Sequence, residues 1–180
     1  MPKIVDRKAL SREIAGKAVE VFIRKGYSGV GMRELAAELG LSKSALYHYF
    51  PSKAALFMAA GDIATGQYAS QFKRPHSVNP TVDERIAAIV HGVRQIDPMF
   101  KGEIALVTDY LRHFSSEQTR DDPTMGSSNT AFLAAIAQVV GETFAESTLL
   151  FCYGFMLQRM LDGGQTDFAR LECGLKQLLE

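Results

Sequence analysis

The feature that most constrains the fold is residues 31–53, where two helical patterns flank a single glycine. In the first pattern, apolar side chains recur at i, i+3, i+4 and i+7, which is the stripe of an amphipathic helix. These side chains are Met32, Leu35, Ala36 and Leu39. Gly40 follows, and a glycine just past a helix end permits the left-handed turn that closes the helix. Pro51 ends the second pattern, because proline cannot continue a helix.

The second helical pattern has two unlike faces. Leu46 and Phe50 are four residues apart and share one side of the helix, and Ser42 stands where a hydroxyl caps the helix start. The opposite face carries polar and aromatic side chains: Lys43, Ser44, Tyr47 and His48. A short helix, a glycine turn and a second helix with such a face match the helix-turn-helix plan. In that plan the second helix enters the major groove of DNA.

Charge is distributed unevenly along a chain whose formal net charge is zero. Residues 1–55 carry ten basic and five acidic side chains, a net charge of +5 that the rest of the chain balances. A basic end on a neutral chain predicts that only this end meets a polyanion. Chance clustering on a solvated surface is the alternative, and the helix-turn-helix pattern favours the first interpretation.

The remainder of the chain shows helical periodicity and no alternation of period two. We therefore predict an all-α fold of about nine helices. A three-helix head, residues 1–52 with its motif at about 31–50, is linked by a fourth helix to a helical body, residues 53–180. Residues 73–80 are predicted to be a linker, residues 115–129 a flexible loop, and Asp97-Pro98 a helix break.

Several classes of protein are excluded or disfavoured by the sequence. Cys152 and Cys173 have no metal-binding or redox spacing, so we expect free buried thiols in a reducing compartment. No apolar leader or membrane-length apolar run is present, which predicts a cytoplasmic protein. No nucleophile elbow, phosphate-binding loop, dinucleotide fingerprint or metal-ligand pattern occurs. We therefore expect no enzyme activity, no cofactor and no metal.

Two segments resemble the N-terminal domain of TetR-type, tetracycline-repressor-like, transcriptional regulators. They are AVEVFIRKGY, residues 18–27, and RELAAELGLSKSALYHYFPSKAALF, residues 33–57. The helix end at Gly-Tyr, the Gly-Leu-Ser turn, the Leu-Tyr-His-Tyr-Phe run and the Lys-x-x-Leu helix start occur in family order and spacing. In one departure, Val30 and Gly31 stand where the family usually has Thr or Ser. Gly31 lacks the hydroxyl that would form a capping box with Glu34.

The resemblance implies which side chains contact DNA. Lys43 and Ser44 open the recognition helix and would reach base edges, with Lys43 suited to guanine. Lys53 would meet a phosphate at the start of the fourth helix. Alternatives stay open at four positions: Ala45 supplies only helix propensity, His48 contacts nothing, Tyr49 belongs to the core, and Arg33 forms a salt bridge with a neighbouring carboxylate. The predicted contact set is Arg33, Ser42, Lys43, Ser44, Ala45, Tyr47, His48, Tyr49 and Lys53.

The resemblance also implies a homodimer with an effector-binding body. Apolar walls with few polar groups are typical of small-molecule sites, so we expect a mainly apolar effector, with ordinary core packing as the alternative. The candidate effector-binding residues are His91, Met99, Phe100, Tyr110, His113, Phe114, Phe151, Phe155 and Gln158. The two apolar C-terminal helices predict a dimer interface, with completion of the chain's own core as the alternative. The candidate interface residues are Leu149, Tyr153, Met156, Met160, Phe168, Leu171, Leu175 and Leu178.

These observations predict a ligand-responsive DNA-binding transcriptional regulator. The foremost interpretation is a homodimeric repressor that a small molecule releases from a pseudo-palindromic operator. One alternative is a helical protein-interaction module that keeps the same head. Another is an activator, or a regulator without a ligand.

Overall fold

The computed structural model describes residues 7–180, apart from the side chain of residue 124, and over this range it contains nine α-helices and no strand. The helices are α1 Arg7–Lys25, α2 Met32–Glu38, α3 Lys43–Tyr49, α4 Lys53–Ala69, α5 Val82–Leu111, α6 Ser116–Arg120, α7 Pro123–Val140, α8 Glu142–Leu161 and α9 Phe168–Leu179. The all-α class and the helix number are confirmed. Lys3 and Asp6, two charged residues of the basic end, lie outside the described residues.

The chain forms two compact units. The head unit comprises the residues up to 64 together with residues 102–127, and the body unit comprises residues 65–101 and 128–180. Helix α5 contributes its first part to the body unit and its last part to the head unit. The domain boundary expected between residues 52 and 53 stays a prediction. The compact head unit contains the helix-turn-helix segment together with later parts of the chain.

The turn between α2 and α3 forms as the glycine predicts. Gly40 has a φ of 68°, and its N–H donates to the Ala37 carbonyl over 3.1 Å. The Leu41 N–H donates to the Ala36 carbonyl over 2.8 Å, which completes a Schellman motif. Ser42 then begins α3 as its N-cap, with its Oγ accepting from the Ala45 N–H over 3.1 Å.

The core of the head unit is completed by the end of α5. Tyr110 is 2% exposed and its ring stacks on Phe57 with 4.4 Å between centroids. Its edge meets the ring of Tyr27 at 5.0 Å, and its hydroxyl donates to Asp122 Oδ2 over 2.7 Å. Burial and this hydrogen bond raise the pKa of the Tyr110 phenol, so the ring is neutral. A side chain far from residues 1–52 thus fills the head's centre.

The flexible loop expected at residues 115–129 is wrong. Ser115 caps α6 in a capping box, with its Oγ accepting from the Gln118 N–H and its own N–H donating to the Gln118 side chain over 2.8 Å. Helix α7 starts at Pro123, a first-turn position where the missing N–H costs nothing. Asp122, just before it, accepts a backbone N–H of that first turn. The polar residues therefore form a short helix, its caps and the first turns of α7 rather than a flexible loop.

The helix break expected at Asp97-Pro98 is also wrong, since α5 runs through Pro98. An internal proline costs roughly 3 kcal/mol, so other contacts must hold the helix. In the body unit, the Arg159 guanidinium donates to both carboxylate oxygens of Asp97 at 3.0–3.1 Å. This bidentate pair, which raises the pKa of Arg159, anchors the residue next to the proline.

Helices α8 and α9 pack closely against each other in the body unit. A Cβ on Gly174 of α9 would lie 2.1 Å from the Phe151 ring of α8, so this contact requires glycine. Cys152 is buried, and burial raises the pKa of its thiol to about 12. Cys173 is exposed, so the expectation that both thiols are buried is wrong for this residue, which lies on the outer side of α9.

Replacing Tyr110 tests whether the end of α5 stabilises the head. Tyr110→Phe loses a hydrogen bond to a charged group, and we expect a loss of about 1.5–3 kcal/mol in the free energy of unfolding. Tyr110→Ala also leaves a cavity and should cost about 3–5 kcal/mol. Chemical denaturation measures both. Tyr47→Phe, which removes the hydroxyl of an exposed tyrosine, is the control. Equal stability of Tyr110→Phe and this control would contradict the assignment.

Candidate nucleic-acid interface

One face of α3 is exposed and carries four of the predicted contact residues. We call Lys43, Ser44, Tyr47 and His48 the recognition face, and all four are exposed. The Lys43 ammonium lies 5.8 Å from the centroid of the Tyr47 ring, one helical turn along. Beneath them, Leu46 is fully buried and holds the helix against the head core. The recognition face is thus a free surface on a fixed helix.

Ser42 and Ala45 contribute to the geometry of this helix. The Ser42 hydroxyl is already engaged as the N-cap and lies 3.1 Å from Ser44 Oγ. Ala45 is half-buried, with its N–H bound to that cap. The start of α3 is therefore held by its own side chains before any partner binds.

Arg33 is exposed on α2 and makes no ion pair among the described residues. Its acidic neighbours on α2 are neutralised by the end of α1 instead. The Lys25 ammonium lies 2.5 Å from Glu34 and 2.8 Å from Glu38, and Arg24 also pairs with Glu38 at 2.5 Å. Hydrogen bonding to these carboxylates raises the pKa of Lys25, and Lys25 in turn lowers the pKa of Glu38. The positive charge of Arg33 is thereby left uncompensated.

Two predicted contacts are placed differently from the expectation. Tyr49 is half-buried, packs against the head core and meets the His48 ring edge-on at 5.2 Å, which matches the core alternative. Lys53 does not present a free ammonium for a phosphate. Its Nζ donates to the carbonyls of Tyr27 at 2.8 Å and Val30 at 3.1 Å, and it lies 4.3 Å from the centroid of the Tyr27 ring. Lys53 therefore fastens the turn between α1 and α2 to the start of α4.

Gly31 is the N-cap of α2 and has no side-chain cap, as its lack of a hydroxyl predicts. Its φ of −102° is accessible to any residue, and nothing lies within 4 Å of the position a Cβ would take. The side-chain cap is therefore missing because glycine has no hydroxyl, although a serine or threonine side chain would have room there.

Other head residues that sequence reasoning missed hold the motif in place. The Arg7 guanidinium donates to the His48 carbonyl over 2.9 Å and so supplies a donor to the end of α3. Asp109 on α5 accepts two hydrogen bonds from Ser28 in the α1–α2 turn. No local sequence signal marks either contact, since the partners are 41 and 81 residues apart.

The candidate effector-binding residues are divided between the two units. The rings of Tyr110 and Phe114 pack at a tilted angle in the head core with 4.7 Å between centroids, and exposed His113 lies beside Ser28. In the body unit, Phe100 and Phe155 are buried, whereas His91, Met99, Phe151 and Gln158 are exposed. Within neither unit are all nine brought to one site, and their role in effector binding stays a prediction. Over residues 7–180, no group of three potential metal ligands is assembled.

The candidate dimer-interface residues lie largely inside the protomer. Five are buried in the body unit and three are half-buried. The buried ones are Leu149, Met156, Phe168, Leu171 and Leu175, and the half-buried ones are Tyr153, Met160 and Leu178. The exposed apolar side chains of α8 are instead Leu150 at 65%, Leu157 at 44% and Leu161 at 70%, with Phe151 beside them. The core alternative thus describes the buried five.

The helix-turn-helix segment matches a known family. Residues 14–60 match the family described as bacterial regulatory proteins, tetR family. The transcriptional activator FasR of Mycolicibacterium smegmatis is 48% identical over 42 residues, which are 23% of this chain and 19% of FasR. The chain matches less than a fifth of the length of this and similar curated relatives.

Solved structures extend the likeness to the whole fold. SCO7518 of Streptomyces coelicolor A3(2) aligns with a TM-score of 0.77 at 15% identity, over 94% of this chain and 98% of that one. FadR of Bacillus subtilis, solved with stearoyl-CoA, aligns with a TM-score of 0.67 at 15% identity, over 93% and 97%. No helix among residues 7–180 has the length and apolar character needed to cross a membrane. The chain therefore shares the fold of these solved structures, and its helix-turn-helix segment, residues 14–60, is similar to the tetR family of bacterial regulatory proteins.

Proposed function

We propose that this chain is a cytoplasmic, ligand-responsive transcriptional regulator that binds operator DNA as a homodimer. The observation that carries the proposal is the recognition face, which combines exposure to solvent with a buried anchor at Leu46. A seven-residue helix is about 10 Å long and fits a major groove about 12 Å wide. Side chains in the first turn of such a helix reach base edges.

The charges of the head support DNA as the partner. Arg33 on α2 and Lys43 at the start of α3 are both exposed. Neither forms an ion pair among the described residues. Lys43 is suited to guanine O6 and N7, and Tyr47 to a phosphate oxygen. Arg33 would neutralise a second phosphate. Because Lys17, Arg24, Lys25 and Lys53 are engaged within the head, the formal charge overstates the number of phosphates contacted.

The exposed face of α8 supports a second copy of the chain as a partner. Its exposed residues recur at alternating intervals of three and four, which is the spacing of a helix–helix seam. They are Ser147, Leu150, Gly154, Leu157 and Leu161. Nothing lies within 4 Å of a Cβ built on Gly154, so a partner helix has room to approach there. A two-fold dimer would present two recognition faces to half-sites about 34–36 Å apart.

A route from effector to DNA is provided by α5. The helix is continuous from residue 82 in the body unit to residue 111 in the head unit, where Leu106 and Tyr110 join the head core. An effector that favours a different position of α5 would shift the equilibrium of the head. FadR, which shares the fold, was solved with stearoyl-CoA, and this supports a mainly apolar effector. Release from the operator would then relieve repression.

An activator with the same head is the second candidate. The relative FasR is named as a transcriptional activator, and its likeness covers only the helix-turn-helix segment. The sign of regulation depends on where the operator lies relative to the promoter, which the DNA-binding chemistry does not distinguish. A reporter gene under the chain's own upstream DNA separates the two, because deletion of a repressor raises expression and deletion of an activator lowers it.

Salt-titrated binding to the chain's own upstream DNA tests the assigned roles of Lys43 and Arg33. Lys43→Ala should weaken specific binding by about 1–3 kcal/mol and non-specific binding less, because the variant cannot hydrogen-bond the base edge. Arg33→Ala should weaken both and lower the slope of log affinity against log salt by about 0.9 for each phosphate that is no longer neutralised. Fluorescence anisotropy with matched operator and non-operator duplexes measures the specific affinity, the non-specific affinity and the salt slope.

Lys53 and Lys17 provide the comparison for those variants. Lys53→Ala should leave the salt slope unchanged and lower the free energy of unfolding by about 1.5–3 kcal/mol, because its hydrogen bonds are internal. Lys17→Ala, at an exposed pair with Glu13, should change neither. A salt slope that falls for Lys53→Ala but not for Arg33→Ala would refute this division of roles.

The dimer surface is tested by placing a charge on the exposed face of α8. Leu157→Glu should yield a monomer in sedimentation velocity and should weaken operator binding, because a buried carboxylate at the seam is costly. Val78→Glu is the matched control, since Val78 is 87% exposed and lies outside α8. A wild-type monomer, or a Leu157→Glu protein that remains dimeric, would rule out this surface.

A further inference from the structure

We infer that Asp109 is a positioning residue for the recognition helix, acting from α5 through the turn between α1 and α2. This inference rests on the proposed function. Ser28 in the turn donates its backbone N–H to Asp109 Oδ2 over 2.7 Å and its hydroxyl to Oδ1 over 2.8 Å. Both oxygens of the carboxylate are therefore committed to one residue, and a bidentate contact defines orientation as well as distance.

The turn begins with a glycine that lies close to the Asp109 carboxylate. Gly26 closes α1 with a φ of 76°, and its N–H donates to the Phe22 carbonyl over 2.8 Å. A Cβ on Gly26 would lie 3.2 Å from Asp109 Oδ2. The glycine thus serves both the left-handed turn and the close approach of α5.

A histidine adds a third member to the contact. His113 lies one helical turn beyond Asp109, and its Nε2 is 3.0 Å from Ser28 Oγ. Since the Ser28 hydroxyl donates to Asp109, this hydrogen bond requires the histidine nitrogen to donate. The hydrogen bonds from Ser28 lower the pKa of Asp109, so the carboxylate is charged at neutral pH and the contact is formed.

The same turn is held from its other side by Lys53. That ammonium binds the carbonyls of Tyr27 and Val30, while the Asp109 carboxylate binds the N–H and hydroxyl of Ser28. The turn leads directly into Gly31, the N-cap of α2. An anion and a cation from two different helices thereby determine where α2 begins, and α3 follows α2 through the tight turn at Gly40.

Asp109 does not belong to the recognition face, and its carboxylate cannot neutralise a phosphate. Its removal should therefore change specific recognition without removing a cation from any phosphate. Non-specific binding, which depends on backbone charge, tolerates a displaced helix better than base contacts do. This difference separates a positioning role from a contact role.

A double-mutant cycle on Ser28 and Asp109 tests the inference. Ser28→Ala and Asp109→Asn should each reduce operator affinity by about tenfold, the equivalent of one hydrogen bond to a charged group. The double variant should lose less than the sum of the two single losses, because both changes remove the bond between the Ser28 hydroxyl and Asp109, while the backbone N–H of residue 28 remains a donor in Ser28→Ala. Non-operator affinity and the salt slope should stay at wild-type values. Anisotropy is measured at a temperature at which circular dichroism shows every variant folded.

Asp62→Asn is the matched control, since the Asp62 carboxylate accepts from Ser127 Oγ at 3.1 Å elsewhere in the head unit. It should bind the operator as the wild type does. Additive losses, equal losses on operator and non-operator DNA, or wild-type affinity of Asp109→Asn would each overturn the inference.

Hydrogen exchange distinguishes failure of this inference from failure of the proposed function. If the wild-type chain binds no duplex, the proposed function fails, and amide exchange over residues 26–42 decides the role of Asp109. Faster exchange there in Asp109→Asn than in Asp62→Asn supports positioning of the turn by Asp109. Equal protection in the two variants overturns it.

Discussion

The structure of the head depends on the insertion of Tyr110 among the aromatic rings of Tyr27 and Phe57. Aromatic side chains bury large areas, and the Tyr110 hydroxyl has a buried partner in Asp122. Because Tyr110 lies near the end of α5, the helix-turn-helix segment relies on chain that follows it by some 50 residues. The recognition face is therefore presented by a unit that includes part of the helix shared with the body.

The electrostatics of the head explain how a neutral chain can offer a basic surface. Three cations of α1, Lys17, Arg24 and Lys25, pair with carboxylates, and both carboxylates of α2 are among their partners. Neutralising those carboxylates matters as much as adding cations, since it leaves Arg33 and Lys43 without competing partners nearby. Lys53 illustrates the converse, because a lysine expected at a phosphate instead binds two carbonyls within the protein.

The body shows the limits of apolar periodicity as a guide. Spacings of three and four on α9 mark Leu171 and Leu175 correctly as buried, but the same spacing is expected for a protomer core and for a subunit seam. Burial identifies the residues of the protomer core, and the apolar residues left exposed on α8 include Leu150, Leu157 and Leu161. Likewise, the polar run before α7 forms the short helix α6 with its caps, which composition alone does not distinguish from a loop.

The sequence by itself determined what depends on neighbours within about five residues. The bounds of α2 and α3, the Schellman turn at Gly40, the cap at Ser42 and the burial of Leu46 all follow from local spacing and backbone preference. Tertiary structure decided the partners of Lys53 and Asp109 and the continuity of α5 through Pro98. Those outcomes depend on contacts between side chains that are tens of residues apart in the sequence. Several residues of similar chemistry could form each contact, and tertiary packing selects the one that does.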